Sequence, residues 1–144
     1  MRERCTGNVI TYVKNQNLHV TNICKNLSGF CGFGRLADDE GAFCNDKEAI
    51  QEKARLAVKR GVTVICLLSG VQPDFSIDTY CNILSWVLDI GPHIHLHAFS
   101  PDEVSHAASR SNITNDEVST RRKTQDSVHH RVQQQRYLWT LYER

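Results

Sequence analysis

The sequence predicts an α/β fold built on parallel strands, either an open sheet or part of a barrel. Three observations carry this. A strand-then-helix order recurs three times along the chain. Val62 to Leu68 is apolar throughout and bounded by Gly61 and Ser69-Gly70, as expected of a parallel strand buried on both faces. His93 to Phe99 alternates with period two, setting Ile94, Leu96 and Ala98 against His93, His95, His97 and Phe99. Parallel strands joined through helices form right-handed crossovers, and three such units do not close a barrel.

Taken in order, Asn8 to Lys14 is β-branched and aromatic and predicts a first strand. Asn15-Gln16-Asn17 predicts a turn, and Leu18 to Ile23 a second strand. A loop follows, polar from Asp38 to Gly41. Asn45 with Glu48 three residues later predicts a capped helix start, and Ile50, Ala54, Ala57 and Val58 share one face until Gly61 stops it.

After the apolar strand, Val71-Gln72-Pro73-Asp74 is a loop. Tyr80, Ile83, Leu84, Val87 and Leu88 then recur at helical spacing until Gly91-Pro92. The histidine strand ends at Ser100-Pro101, where the proline suits the first turn of a helix running through Asp102, Glu103, Val104 and Ala107. In a barrel the apolar face of that strand would meet the helices and the histidine face would line the lumen; the alternative is a solvated edge strand. Histidines on alternate positions do not all reach one metal, so no zinc site is predicted.

The 144 residues suffice for one domain with a core, and a net charge of +1 gives no global field for nucleic acid or membranes. No run of eighteen apolar residues occurs, and Met-Arg-Glu-Arg-Cys is not the start of a signal peptide, so a cytoplasmic location is expected. The six cysteines lack the spacing of a disulfide framework and read as reduced thiols.

The chemistry concentrates in Thr21 to Phe33. This stretch follows a strand and sets Cys24 and Cys31 among glycines and two phenylalanines. The spacing of the two cysteines alone fits no standard zinc knuckle. The segment resembles the cluster loop of radical S-adenosylmethionine (SAM) enzymes, C-x3-C-x2-C, in which three thiolates hold a 4Fe-4S cluster. Cys24 matches the first cysteine and Cys31 the third, while Ser28 stands at the second. A serine hydroxyl is a hard ligand that stays protonated near neutral pH, whereas iron–sulfur clusters select soft thiolates.

Further residues extend the resemblance over roughly Asn8 to Val118: Ile10-Thr11-Tyr12-Val13, Asn17, Val20-Thr21-Asn22-Ile23-Cys24, Gly29-Phe30-Cys31-Gly32-Phe33, Gly41-Ala42-Phe43, Pro73-Asp74 and His95-Leu96-His97-Ala98-Phe99-Ser100-Pro101. These look like the family of the tyrosine-using subunit of FO synthase, the 5-amino-6-(D-ribitylamino)uracil–L-tyrosine 4-hydroxyphenyl transferases. The resemblance implies the N-terminal portion of a partial (β/α)6 TIM-like barrel, with a 4Fe-4S cluster and SAM as cofactors. L-tyrosine and 5-amino-6-(D-ribitylamino)uracil would be substrates, the tyrosine-derived 4-hydroxybenzyl group being joined to the uracil, with a second radical SAM subunit as partner. By position, Cys24, Cys31 and Ser28 would face the cluster and Phe30 would flank the adenine. Ser69 and Gly70 would take the place of the glycine-rich SAM-binding strand end, and His95 and His97 would face substrate. Ser69, Val64 and Gln72 depart from the residues common in the family. The rival readings are the futalosine-pathway cyclase and a non-catalytic remnant.

The composition changes at Ser119. Six basic residues face Asp126 and Glu143, and no helical or strand period fits Ser127 to Arg136. The organisation expected is therefore an extension over 1–7, a partial barrel over 8–118 and an aberrant tail over 119–144. Taken one base out of frame, Lys123 onward can encode Asp-Ala-Gly-Leu-Gly, and Arg131 to Leu138 can encode Gly-Thr-Ala-Ala-Glu-Ile-Leu, the next motif of that family. A frameshift in the gene or its sequencing is the expectation, against a disordered basic tail.

Overall fold

The computed structural model describes residues 12–114 together with Gly7 and Glu117. The predicted tail and the first half of the predicted first strand lie outside the described residues. Six elements follow in order: β1 (Asn15–His19), α1 (Lys47–Lys59), β2 (Val64–Leu68), α2 (Ile77–Leu88), β3 (His95–Ala98) and α3 (Pro101–Arg110). The strands form one parallel sheet in the order β1-β2-β3. This is the predicted α/β class; a three-stranded parallel sheet is compatible with part of a larger domain.

One face of the sheet builds the core. Leu18, Ile65, Leu67, Leu96 and Ala98 point to the helices and are buried with Ile50, Ala54 and Ala57 of α1, Ile77, Tyr80, Ile83 and Val87 of α2, and Ala107 and Ala108 of α3. Among the described residues no element covers the opposite face: Val64 and Cys66 are half-buried and Leu68 is 39% exposed. This corrects the expectation that β2 is buried on both faces, because the described helices all pack on one side. His95 and His97 lie on that uncovered face, as the alternation predicts, half-buried and exposed respectively.

Phe99 does not share that face. It takes a left-handed φ of 62°, which turns the ring into the core, and its centroid lies 4.4 Å from that of Tyr80.

The first strand is also displaced from its predicted place. Residues 12–14 are irregular, with Tyr12 and Val13 exposed, and the predicted turn at Asn15 to Asn17 is strand. Asparagine is a poor strand former, but here pairing decides: Asn15, Gln16 and Asn17 lie opposite Val64, Ile65 and Cys66. After His19, only isolated bridges continue, Thr21 with Cys44 and Ile23 with Arg35.

The helices follow the predicted faces, with two corrections. Val58 is 42% exposed instead of buried, and the cap of α1 is Asp46, whose side chain accepts from the Ala49 amide at 2.9 Å. Asn45 instead donates to the His19 carbonyl at 2.7 Å, which holds the end of the cysteine loop to β1. Gly61, at φ +67°, ends α1 as predicted, and Pro101 opens α3. Among the described residues no helix is long and apolar enough to cross a membrane.

Candidate functional site

The residues between β1 and α1 form the candidate site, and buried polar residues fix their path. Thr21 and Asn22 are 0% and 5% exposed, yet their side chains are satisfied. Thr21 Oγ1 donates to the Phe43 carbonyl at 2.6 Å. Asn22 Oδ1 accepts from the Phe43 amide at 2.7 Å, and its Nδ2 donates to the Gly41 carbonyl at 2.9 Å. Buried amides and hydroxyls need such partners, so Thr21-Asn22 and Gly41-Ala42-Phe43 hold each other and define where the loop leaves and returns.

Within that frame Cys24 is half-buried and its amide donates to the Arg35 carbonyl at 3.0 Å. Ser28 to Cys31 is a turn closed by the Cys31 amide on the Ser28 carbonyl at 2.9 Å, with the Phe30 amide on Ser28 Oγ at 3.3 Å. Arg35 braces the far side through the Gly32 and Gly34 carbonyls. The Cys31 thiol is exposed, and the Phe33 and Gly34 amides, with a smaller contribution from Arg35, hold its pKa below the ordinary thiol value. Phe30 is fully exposed. It follows that the alkylation rate of Cys31 will rise with pH at a lower midpoint in the folded chain than in urea. Coincident midpoints, measured by peptide-resolved iodoacetamide labelling, would remove the thiolate-favouring role of those amides.

The loop is seated against the end of β2. The Val20 amide donates to Leu68, the Gly70 amide to Thr21 at 2.9 Å, and the Lys25 amide to Val71 at 2.9 Å. A Cβ on Gly70 would lie 2.2 Å from the Ile23 carbonyl oxygen and 3.0 Å from Cys24 Cβ, so only glycine allows the two chains to approach this closely. Thus the structure brings together Cys24, Ser69 and Gly70, with Ser28, Phe30 and Cys31 on the same loop.

His95 and His97 are not part of that cluster. They lie opposite Val64 and Cys66, five and three residues before Ser69, roughly 16 and 10 Å back along the strand at the usual rise. Among the described residues no three His, Cys, Asp or Glu side chains group as metal ligands.

One neighbour of the loop, His106, was not singled out from the sequence. Lys25 Nζ lies 2.8 Å from His106 Nδ1, and His106 Nε2 lies 3.2 Å from the Pro73 carbonyl, tying the loop to α3 and to the Pro73-Asp74 turn. Tyr80 and Glu103 are both 3% exposed. Burial, then the Glu103 charge, pushes the Tyr80 hydroxyl well up, and burial pushes the Glu103 carboxyl up despite the Ser100 amide and hydroxyl that donate to it. The spacing Ser100-x-x-Glu103 is a capping-box signature legible in the sequence; its burial is not.

No family model matches the chain. Among curated proteins it is 50% identical over 118 residues to a protein of Methanoculleus marisnigri named 5-amino-6-(D-ribitylamino)uracil–L-tyrosine 4-hydroxyphenyl transferase, a match covering 82% of this chain and 32% of the relative. Proteins of the same name from Methanosphaerula palustris and Microcystis aeruginosa are 47% and 40% identical over 119 and 123 residues. They are covered to 33% and 32% of their length, and the matches take in 83% and 82% of this chain. The chain therefore spans about a third of the length of the curated relatives it matches.

Proposed function

We infer that the chain, which over the matched four-fifths of its length belongs to the family of 5-amino-6-(D-ribitylamino)uracil–L-tyrosine 4-hydroxyphenyl transferases, carries the cofactor-loop segment of a radical SAM transferase in an impaired form. The observation that carries this reading is the seating of Cys24 against Gly70, beside a turn whose amides favour the Cys31 thiolate. A loop of this kind presents two soft ligands at the carboxyl ends of parallel strands, where α/β folds place their ligands. The shared name of the relatives favours the transferase over the futalosine-pathway cyclase.

L-tyrosine and 5-amino-6-(D-ribitylamino)uracil are the substrates proposed for the whole protein, with Phe30 against the adenine of SAM and Ser69-Gly70 beside it. His95 and His97, on the uncovered sheet face, are the residues proposed to meet substrate, in a cytoplasmic protein working with a second radical SAM subunit.

The donor set tests this reading. Ser28 supplies a hydroxyl where a three-thiolate cluster site needs a third sulfur, and its Oγ is engaged with the Phe30 amide. Two thiolates and one hydroxyl do not fit that site. Anaerobic iron–sulfur reconstitution of the full chain and of Ser28→Cys decides the point: the variant should retain substantially more iron and sulfide per chain. Equal, full occupancy in both would refute the role assigned to position 28; equal absence in both would refute the cluster-loop reading.

A further inference from the structure

His19, the last residue of β1, stands where the open sheet face meets the cysteine loop. Alternation along β1 puts Leu18 in the core and His19 on the uncovered face with Asn15 and Asn17. It pairs with Leu68, the residue directly before Ser69 and Gly70. His97 and His95 lie further down the same face, opposite Cys66 and Val64. Of the three strand histidines on that face, His19 is therefore nearest the carboxyl ends of the strands, where α/β folds place their ligands.

Its position is held from both sides. Asn45 Nδ2 donates to the His19 carbonyl at 2.7 Å, and the Val20 amide donates to the Leu68 carbonyl at 2.8 Å. The imidazole lies on Phe33 of the loop, with centroids 4.6 Å apart and planes tilted by 42°. Phe33 in turn meets the ring of Phe43, whose backbone is fixed by Thr21 and Asn22.

The two ring nitrogens are not equivalent. Nδ1 is enclosed and makes no hydrogen bond, whereas Nε2 is not enclosed, in a side chain half-buried overall. An enclosed N–H without an acceptor is rarer than an enclosed lone pair without a donor, so the proton of the neutral ring belongs on Nε2. A core histidine pairs both nitrogens and a surface histidine leaves both to water. Here packing closes off one nitrogen and presents the other, as a donor, to the uncovered face.

We propose that His19 is a substrate-binding residue whose Nε2–H donates to a planar oxygen of a ligand seated between the cysteine loop and the cross-strand row Asn17, Cys66 and His97. That this ligand is a substrate rests on the transferase reading; the direction of the donor does not. A neutral donor in a fixed direction suits a carboxylate or carbonyl oxygen, which accepts in the plane of its own group. An amino-acid carboxylate and a pyrimidine carbonyl share that chemistry, and each of the two proposed substrates offers one.

The test uses the iron-free full chain under reducing conditions, with isotopically nitrogen-labelled histidine, roughly two pH units above the ordinary imidazole value. The His19 signals, assigned by their loss in His19→Phe, should show the proton on Nε2. That nitrogen should shift with millimolar L-tyrosine but not with tyramine if the carboxylate is the acceptor, and with uracil if the carbonyl is. His19→Phe keeps a ring on Phe33 and removes the donor, so it should weaken probe binding about tenfold. Its melting temperature should not fall, because the enclosed unpaired nitrogen goes with the imidazole. His19→Gln, which returns an N–H at similar reach, should bind within about threefold of the parent. The proposal is overturned by a proton on Nδ1, by no response to any probe, or by equal response to L-tyrosine and tyramine with none to uracil. It is equally overturned if His19→Phe binds as the parent does, or if binding is lost in both variants together with a lowered melt. Since no iron is present, failure of cluster reconstitution would sink the cofactor-loop reading and leave this result standing.

Discussion

Replacing Gly70 by alanine will unseat the cysteine loop while leaving the rest of the sheet paired. The position is not one of positive φ, so the constraint is space and not backbone dihedral. The added methyl would stand 2.2 Å from the Ile23 oxygen and 2.8 Å from its carbonyl carbon, far inside contact distance, and both are backbone atoms that cannot rotate away. One of the two chains must move. The Gly70 to Thr21 and Lys25 to Val71 hydrogen bonds, both 2.9 Å, hold them together and will lengthen first. Overpacking of this kind costs about 1–3 kcal/mol, and a cost of that size lowers the melting temperature by a few degrees per kcal/mol. Gly32→Ala is the control, because a Cβ there meets nothing within 4 Å. Hydrogen exchange should quicken at the Gly70 and Lys25 amides in Gly70→Ala and stay at the parent rate in Gly32→Ala. If Gly70→Ala melts with the parent and protects those amides equally, the close approach is not a determinant of the site.

The same contact shows what the sequence could and could not convey about this site. Cysteines among glycines after a strand are a local pattern, so the sequence alone could single out this loop as the candidate site. That Gly70 lies against Ile23 and Cys24 has no local signature, since the contact spans some fifty positions and leaves no periodicity; the resemblance named Ser69 and Gly70 only as the SAM-binding strand end. The helices were legible because burial repeats every three to four residues and caps have local signatures; even there Asn45, a plausible cap, is drawn off by the His19 carbonyl, and Asp46 replaces it. The first strand was misplaced because propensity argues from the residue alone. Asn15 and Asn17 become strand only through their partners on β2. The Ser100-x-x-Glu103 spacing is a local capping signature, but the burial of Glu103 depends on how α3 packs on the rest of the chain.

Phe99→Ala will be among the most damaging single changes, and Phe99→Gly will be less damaging than Phe99→Ala. The ring is 8% exposed and joins an edge-on aromatic stack in which Tyr80 lies 4.4 Å from Phe99 and 5.5 Å from Phe75. Truncating a buried phenylalanine to alanine costs about 3–5 kcal/mol, a large share of the roughly 5–15 kcal/mol that holds a domain folded. Ordinarily glycine would be worse than alanine in a folded position, because it removes the same ring and adds backbone freedom to the unfolded chain. Here the sign reverses, since Phe99 sits at φ 62° and alanine would retain a left-handed backbone that costs an L-residue roughly 1–2 kcal/mol. That strain is tolerated in the native chain because the left-handed turn places the ring on the helix side of the sheet, between the end of β3 and the start of α3. Chemical denaturation of the three chains measures the order directly. Glycine falling at or below alanine would show that the positive φ relaxes once the ring is gone, and that the aromatic stack, not the backbone, dictates the turn.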